Sequence, residues 1–162
     1  MVSTLLYVCI YVCMCAGYLH NETATNKAFE GGWFRTGDLA VRHPNGRFEL
    51  KDRSKDILIS GGENVSTMEV ESIFLRHPLI REAALVGMAD EKWGEVGCLF
   101  VTLRPESDGS KGIAPLPSVL LQWGRERMAG FQTPKKVVFL DEMPKTATGK
   151  IQKHLLRQLT NM

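Results

Sequence analysis

The chain has 162 residues, 44% of them hydrophobic and 23% charged, which is enough to build one compact domain with a core and too apolar for a disordered tail. A net charge of +2 is mild, so composition gives no support to nucleic-acid binding or to a polybasic membrane anchor. Any electrostatic function has to be local.

Residues 1–19 carry no Asp, Glu, Lys or Arg and include the run Leu5-Leu6-Tyr7-Val8-Cys9-Ile10-Tyr11-Val12-Cys13-Met14-Cys15. Such a run suggests a signal-peptide core or a short membrane span, but no basic residue precedes it and it is short for a span. Cys9, Cys13 and Cys15 cluster there while Cys98 stands far away, with neither paired metal-ligand spacing nor a disulfide framework. The expectation is reduced thiols in an intracellular protein.

From Asn21 the pattern turns amphipathic, with Ala24, Ala28 and Phe29 at helical spacing, Thr23 or Thr25 as the cap, and Gly31-Gly32 as the stop. Next comes Trp33-Phe34-Arg35-Thr36-Gly37-Asp38-Leu39, and then two alternating runs separated by Pro44-Asn45-Gly46-Arg47, which predicts a hairpin. Asp38 sits at the turn into the first strand, where its carboxylate either caps its own turn or accepts two hydroxyl donors from a ribose.

The charged run Asp52-Arg53-Ser54-Lys55-Asp56 has the composition of a linker and precedes the strand Ile57-Leu58-Ile59. Ser60-Gly61-Gly62-Glu63-Asn64 places two glycines where the backbone must turn tightly or let something thin lie against it, without the spacing of a Walker loop or a dinucleotide fingerprint. Ser66-Thr67-Met68-Glu69 reads as a capping box. It opens a helix with Val70, Ile73, Phe74 and Leu75 on one face, ending near His77-Pro78.

Two strands follow, Ile80 to Met88 and Gly97 to Leu103, joined by a loop from Ala89 to Glu95 in which Trp93 is either a lid on the sheet edge or a platform for a flat ring such as adenine. Pro105 to Pro117 reads as a flexible insert, Leu116 to Met128 as a helix, Val137 to Leu140 as a strand, and Leu155, Leu156 and Leu159 as the apolar side of a last helix. Before that helix stands Pro144-Lys145-Thr146-Ala147-Thr148-Gly149-Lys150, which has almost nothing to bury. It is an exposed turn that is either merely solvated or holds Lys150 out toward an anion. The predicted fold is α+β: a β-hairpin and a hinge, followed by a small mixed sheet covered by helices.

Four motifs in order, Gly32-Trp33-Phe34-Arg35-Thr36-Gly37-Asp38-Leu39, Asp52-Arg53-Ser54-Lys55-Asp56, Ser60-Gly61-Gly62-Glu63-Asn64 and Pro144 to Lys150, resemble the C-terminal end of the acyl-CoA synthetases in the adenylate-forming superfamily. The resemblance runs from about Gly17 to the C-terminus. It divides the chain into an apolar leader outside the family pattern (1–15), a remnant of the large N-terminal domain with the hairpin (16–53) and the C-terminal domain proper (54–162).

In that family a carboxylic acid and ATP give an acyl-adenylate, and coenzyme A then displaces AMP. The resemblance implies that Asp38 holds the ribose hydroxyls of ATP with Arg53 beside it, that Lys55 is the hinge between the two half-reactions, and that Lys150 bridges the acid and the α-phosphate. It also implies that Gly61 and Gly62 line the path of the pantetheine arm, Trp93 lies near the coenzyme A adenine, and Phe131 and Lys135 lie near its ribose phosphate. Thr133 stands where some relatives carry an arginine.

The family's N-terminal domain supplies the phosphate-binding loop, the acid pocket and the main magnesium site, and no stretch of these 162 residues matches them. The chain by itself is therefore expected not to adenylate, and a separate N-terminal ligase domain is its expected partner. The alternative is a truncated, non-catalytic domain that binds a nucleotide or another protein. No nucleic-acid or membrane partner and no metal ligand set is expected, and Thr160-Asn161-Met162 is not a Ser-Lys-Leu type peroxisomal signal.

Overall fold

The computed structural model of the chain describes residues 5–10, 16–105 and 114–160. The expectations for Cys13, Cys15, most of the insert after Pro105, and the terminal Asn161-Met162 lie outside the described residues. The chain divides into two compact units, Met1–Lys55 and Asp56–Met162.

In the first unit, β1 (Leu5–Ile10), β2 (Phe34–Arg42) and β3 (Phe48–Arg53) form an antiparallel sheet in the order β1-β2-β3. The apolar leader thus contributes a strand, with Leu5 opposite Val41 and Ile10 opposite Phe34. The β2–β3 hairpin is the one predicted from Asn45-Gly46. Gly46 takes φ of 82° and the Asn45 side chain accepts from the Arg47 amide at 3.0 Å.

Helix α1 (Glu22–Ala28) has Asn21 as its cap, not Thr23 or Thr25, with the Asn21 side chain accepting from the Ala24 amide at 3.0 Å. Asparagine is the stronger cap, and Thr25 is engaged elsewhere, its hydroxyl donating to the Asn21 carbonyl and accepting from the Tyr18 amide.

In the second unit, β4 (Leu58–Ser60) and β5 (Glu63–Val65) form a tight hairpin around Gly61-Gly62, so the expected single strand is a pair. Both glycines have positive φ, 59° and 86°, as a two-residue turn that follows the strand twist requires. Helix α2 (Thr67–Phe74) starts at Ser66, whose hydroxyl accepts from the Glu69 amide at 3.3 Å.

Strands β6 (Ile80–Asp90) and β7 (Gly94–Leu103) pair over nearly their whole length, and the loop expected from Ala89 to Glu95 shrinks to a turn. Two local features close it: the Asp90 carboxylate accepts from the Lys92 and Trp93 amides at 2.9 Å, and Gly94 takes φ of 75°.

Helix α3 (Pro117–Arg125), β8 (Lys136–Phe139) and α4 (Lys153–Thr160) complete the unit. The sheet order is β5-β4-β7-β6, with β8 running parallel to β7. Since β6 occupies one edge of β7, β4 and β8 lie end to end along the other.

The alternation of β6 and β7 feeds two cores. Ala83, Leu85, Leu99 and Val101 pack with Val70, Phe74 and Leu120 on the α2 and α3 face, while Ala84, Val86, Cys98 and Phe100 pack with Met143 and Leu156 on the α4 face. That is why both strands read as continuous apolar runs instead of alternating ones. Gly124 lets α3 approach α2 closely, because a Cβ there would lie 2.7 Å from the Phe74 ring. In α4 only Leu156 is fully buried, and Leu159 remains 41% exposed. No helix among the described residues is long and apolar enough to cross a membrane.

Candidate functional site

Asp38 lies inside β2, directly opposite Arg53 on β3, and not at a turn leading into the strand. The Arg53 Nε stands 3.5 Å from the Asp38 Oδ1, the arginine side chain being 56% exposed and the carboxylate 29%. So open a pair contributes at most about 1 kcal/mol to stability, which leaves both groups accessible to a ligand. Gly37, at φ of 76°, bends the strand just before Asp38, and its carbonyl accepts from the Ser54 amide at 2.8 Å. The Asp38 amide donates to the Thr36 hydroxyl.

Lys55 is exposed and is the last residue of the first unit. Immediately after it, Asp56 is tied down: Arg157 of α4 donates to its carboxylate at 2.6 Å. The charged run is therefore anchored on its far side by the last helix, a contact with no local trace in the sequence.

Lys150 ends a small closed hairpin. Lys145 and Ile151 form an antiparallel bridge, the Thr146 amide donates to the Lys150 carbonyl at 2.9 Å, and the Lys150 amide donates back to the Thr146 hydroxyl at 3.2 Å. The hydroxyls of Thr146 and Thr148 are 2.9 Å apart, and Gly149 takes φ of 83°. The residues that looked too small and polar to bury anything are those that hydrogen-bond the loop to itself. The Lys150 side chain is exposed and makes no ion pair or hydrogen bond among the described residues.

Gly61 and Trp93 meet. The Gly61 amide donates to the Trp93 carbonyl at 3.0 Å, and a Cβ on Gly61 would lie 2.7 Å from the indole ring. The space left by the missing side chain at Gly61 is thus filled by Trp93, whereas a Cβ at Gly62 would meet nothing within 4 Å. Of the two, only Gly62 offers bare backbone to a thin chain. Trp93 is 43% exposed, its ring covered in part by the Gly61 turn and carrying the Lys92 ammonium 5.0 Å from the centroid.

Phe131 is exposed, and Lys135 reaches the same edge of β7 through its amide, which donates to the Gly97 carbonyl at 2.8 Å. Ser60 pairs with Gly94 on that edge, so the Gly61 turn and the Lys135 segment are about 10 Å apart along it. Thr133, between Phe131 and Lys135, is buried and donates to the Ala129 carbonyl, so it makes an internal contact where an arginine would reach out.

Sequence reasoning missed one group: Glu82 on β6, whose carboxylate receives Lys145, Arg81 and the Thr102 hydroxyl. Burial pushes its pKa up, but these donors outweigh burial and hold it below the usual glutamate value. Among the described residues no group of three or more His, Cys, Asp or Glu is placed to hold a metal ion.

Comparison with known proteins finds relatives of the chain. An acetate–CoA ligase of Humulus lupulus is 51% identical over 87% of this chain, and a peroxisomal acetate/butyrate–CoA ligase of Arabidopsis thaliana is 49% identical over 87%. The chain spans about a quarter of the length of either relative, 24% in both cases. An anthranilate CoA ligase solved in complex with anthranoyl-AMP superposes with a TM-score of 0.84 at 32% identity, over 98% of this chain and 30% of that one. The sequence profile of the AMP-binding enzyme C-terminal domain matches residues 69–150, half of the chain and a span that ends on the lysine of the closed hairpin. The chain belongs to the AMP-binding enzyme C-terminal domain family of adenylate-forming enzymes.

Proposed function

We propose that this chain is the C-terminal part of an ATP-dependent acid:CoA ligase, which converts a fatty or aromatic acid to its acyl-CoA through an acyl-adenylate. The observation that carries the reading is Lys150, an unpaired exposed ammonium among the described residues, held at the end of a hydrogen-bonded hairpin. An ammonium so placed can donate at once to the acid carboxylate and to an α-phosphate oxygen, where negative charge is shared during adenylate formation.

Asp38 accepts from the two ribose hydroxyls and Arg53 donates beside it. Lys55 is the joint about which the following residues swing between half-reactions, and the exposed stretch Arg53-Ser54-Lys55, next to the fastened Asp56, suits a segment that must change its backbone angles. In the second half-reaction the open backbone at Gly62 gives passage to the pantetheine arm, the free part of the Trp93 ring stacks on adenine, and Phe131 and Lys135 meet the ribose phosphate. Magnesium is expected mainly on the N-terminal ligase domain, by family resemblance. A second reading is a non-catalytic domain that binds a nucleotide or a partner, a use the solvent-open Asp38–Arg53 pair would serve equally well.

The two readings separate by experiment. The chain is mixed with ATP, magnesium, CoA and a panel of acids, with and without a recombinant N-terminal ligase domain, and acyl-CoA is measured. Activity that appears only in the mixture supports the ligase, and none in either supports the non-catalytic reading. In the active mixture Lys150→Ala is expected to slow adenylation by about 10²–10³, the cost of one oxyanion donor, while sparing thioester formation from a preformed acyl-adenylate. Equal losses in both half-reactions would remove the role given to Lys150.

A further inference from the structure

The hairpin that ends in Lys150 has a second lysine at its root, and the two differ in surroundings. Lys150 is exposed and unpaired among the described residues, whereas Lys145 is 31% exposed and its ammonium pairs with the Glu82 carboxylate. That carboxylate is itself only 18% exposed. The sheet holds it independently of the lysine: Glu82 stands opposite Thr102 of β7, whose hydroxyl donates to Oε2 at 3.2 Å, and Arg81 donates to the same oxygen at 3.3 Å.

From Lys145 outward the constraints are backbone ones. Its bridge to Ile151, the Thr146–Lys150 hydrogen bonds, and the Gln152 side-chain amide donating to the Lys145 carbonyl at 2.8 Å leave the hairpin little freedom of its own. Where the Lys150 Cα stands relative to the sheet then follows from where the root is held.

We propose that Glu82 is a positioning residue for Lys150: by gripping the Lys145 ammonium it fastens the root of the hairpin to β6, so that only the four-carbon stem of Lys150 remains to be ordered when it acts. The functional half of this inference rests on the reading of Lys150 given above. A lysine on a loose loop would have to order the loop as well as its own side chain at each encounter, which weakens any bridging contact it makes. A charge-assisted bond screened from water is a suitable fastener, because it is stronger than its solvent-exposed counterpart and fixes both partners.

The test is amide hydrogen exchange, read by NMR on the full chain. Glu82→Gln keeps the shape and an acceptor for Thr102 but removes the charge that holds Lys145. It is expected to speed exchange at Thr146, Gly149 and Lys150 tenfold or more, while Leu85 and Leu99 in the sheet change less than twofold. Lys145→Met approaches the same pair from the other side and should loosen the same amides. Exchanging the two charges, Glu82→Lys with Lys145→Glu, should restore most of the protection.

Unchanged loop exchange in both single variants overturns the inference. So does equal acceleration of loop and sheet, which is what a merely structural glutamate would give. In the mixture with an N-terminal ligase domain, Glu82→Gln should lower kcat for adenylation with KM for ATP unchanged. Loosening confined to the loop with adenylation undiminished, where Lys150→Ala still slows it, would overturn the positioning role; undiminished adenylation in Lys150→Ala itself would overturn the Lys150 reading, so the two failures are distinguishable.

Discussion

Gly61 and Gly62 look alike in sequence, and the structure predicts that replacing them costs different amounts for different reasons. Gly62→Ala places a methyl group in open space at φ of 86°, so its cost is the left-handed backbone alone, about 1 kcal/mol. Gly61→Ala incurs a similar strain at φ of 59° and also drives a methyl group to within 2.7 Å of the Trp93 ring, which must swing away. Trp93 is 43% exposed, so something over half of its surface is covered; if roughly 80–100 Å² of that burial is lost at about 25 cal/mol per Å², a further 2 kcal/mol follows.

The expected costs are therefore about 3 kcal/mol for Gly61→Ala and about 1 kcal/mol for Gly62→Ala, measured by urea denaturation followed by far-UV circular dichroism. A cycle with Trp93→Ala isolates the contact: Gly61→Ala should fall to about 1 kcal/mol when the indole is already gone. If the two glycine variants cost the same and the cycle shows no coupling, the indole does not lie on the turn. The account of how this face is built would then be wrong.

Two further outcomes concern titratable groups. Because the folded Glu82 pKa lies below its ordinary value of 4.5, the pair with Lys145 contributes its full stability above about that pH and loses it as the pH falls through the lowered value. The urea midpoint of the chain should exceed that of Glu82→Gln by a constant margin from pH 7 to about pH 5, and the gap should close on further acidification. A margin that widens toward low pH would contradict the assignment. Cys98 is fully buried, and burial raises its thiol pKa against a weaker pull from Lys136, so it should resist iodoacetamide at pH 8 until urea unfolds the second unit. Alkylation of Cys98 in the native chain, seen by peptide mass spectrometry, would refute its burial.

Much of the architecture was legible because it is set by neighbours in sequence. The Asn45-Gly46 hairpin, the Ser66 cap and the closed turn before Lys150 each follow from side chains that bond to backbone a few residues away. Where local reading erred, a local competitor had been overlooked. Asn21 outbid the threonines as a cap, and the Asp90 carboxylate with Gly94 tightened what looked like a long charged loop. The two-sided burial of β6 and β7 was visible only as continuous apolar runs, which state that both faces are covered without saying by what.

By itself the sequence determined the β2–β3 hairpin, the run of helices and strands from α2 onward, the glycine turn at Gly61-Gly62 and the exposed lysine at the end of a loop, since these depend on contacts between near neighbours. Tertiary structure alone decided that Trp93 covers Gly61, that β4 and β8 share one edge of β7, that Arg157 holds Asp56 and that Glu82 grips Lys145. Each of those pairs residues from distant elements, and a pairing made only when strands and helices stack leaves no periodicity or spacing along the chain to be read beforehand.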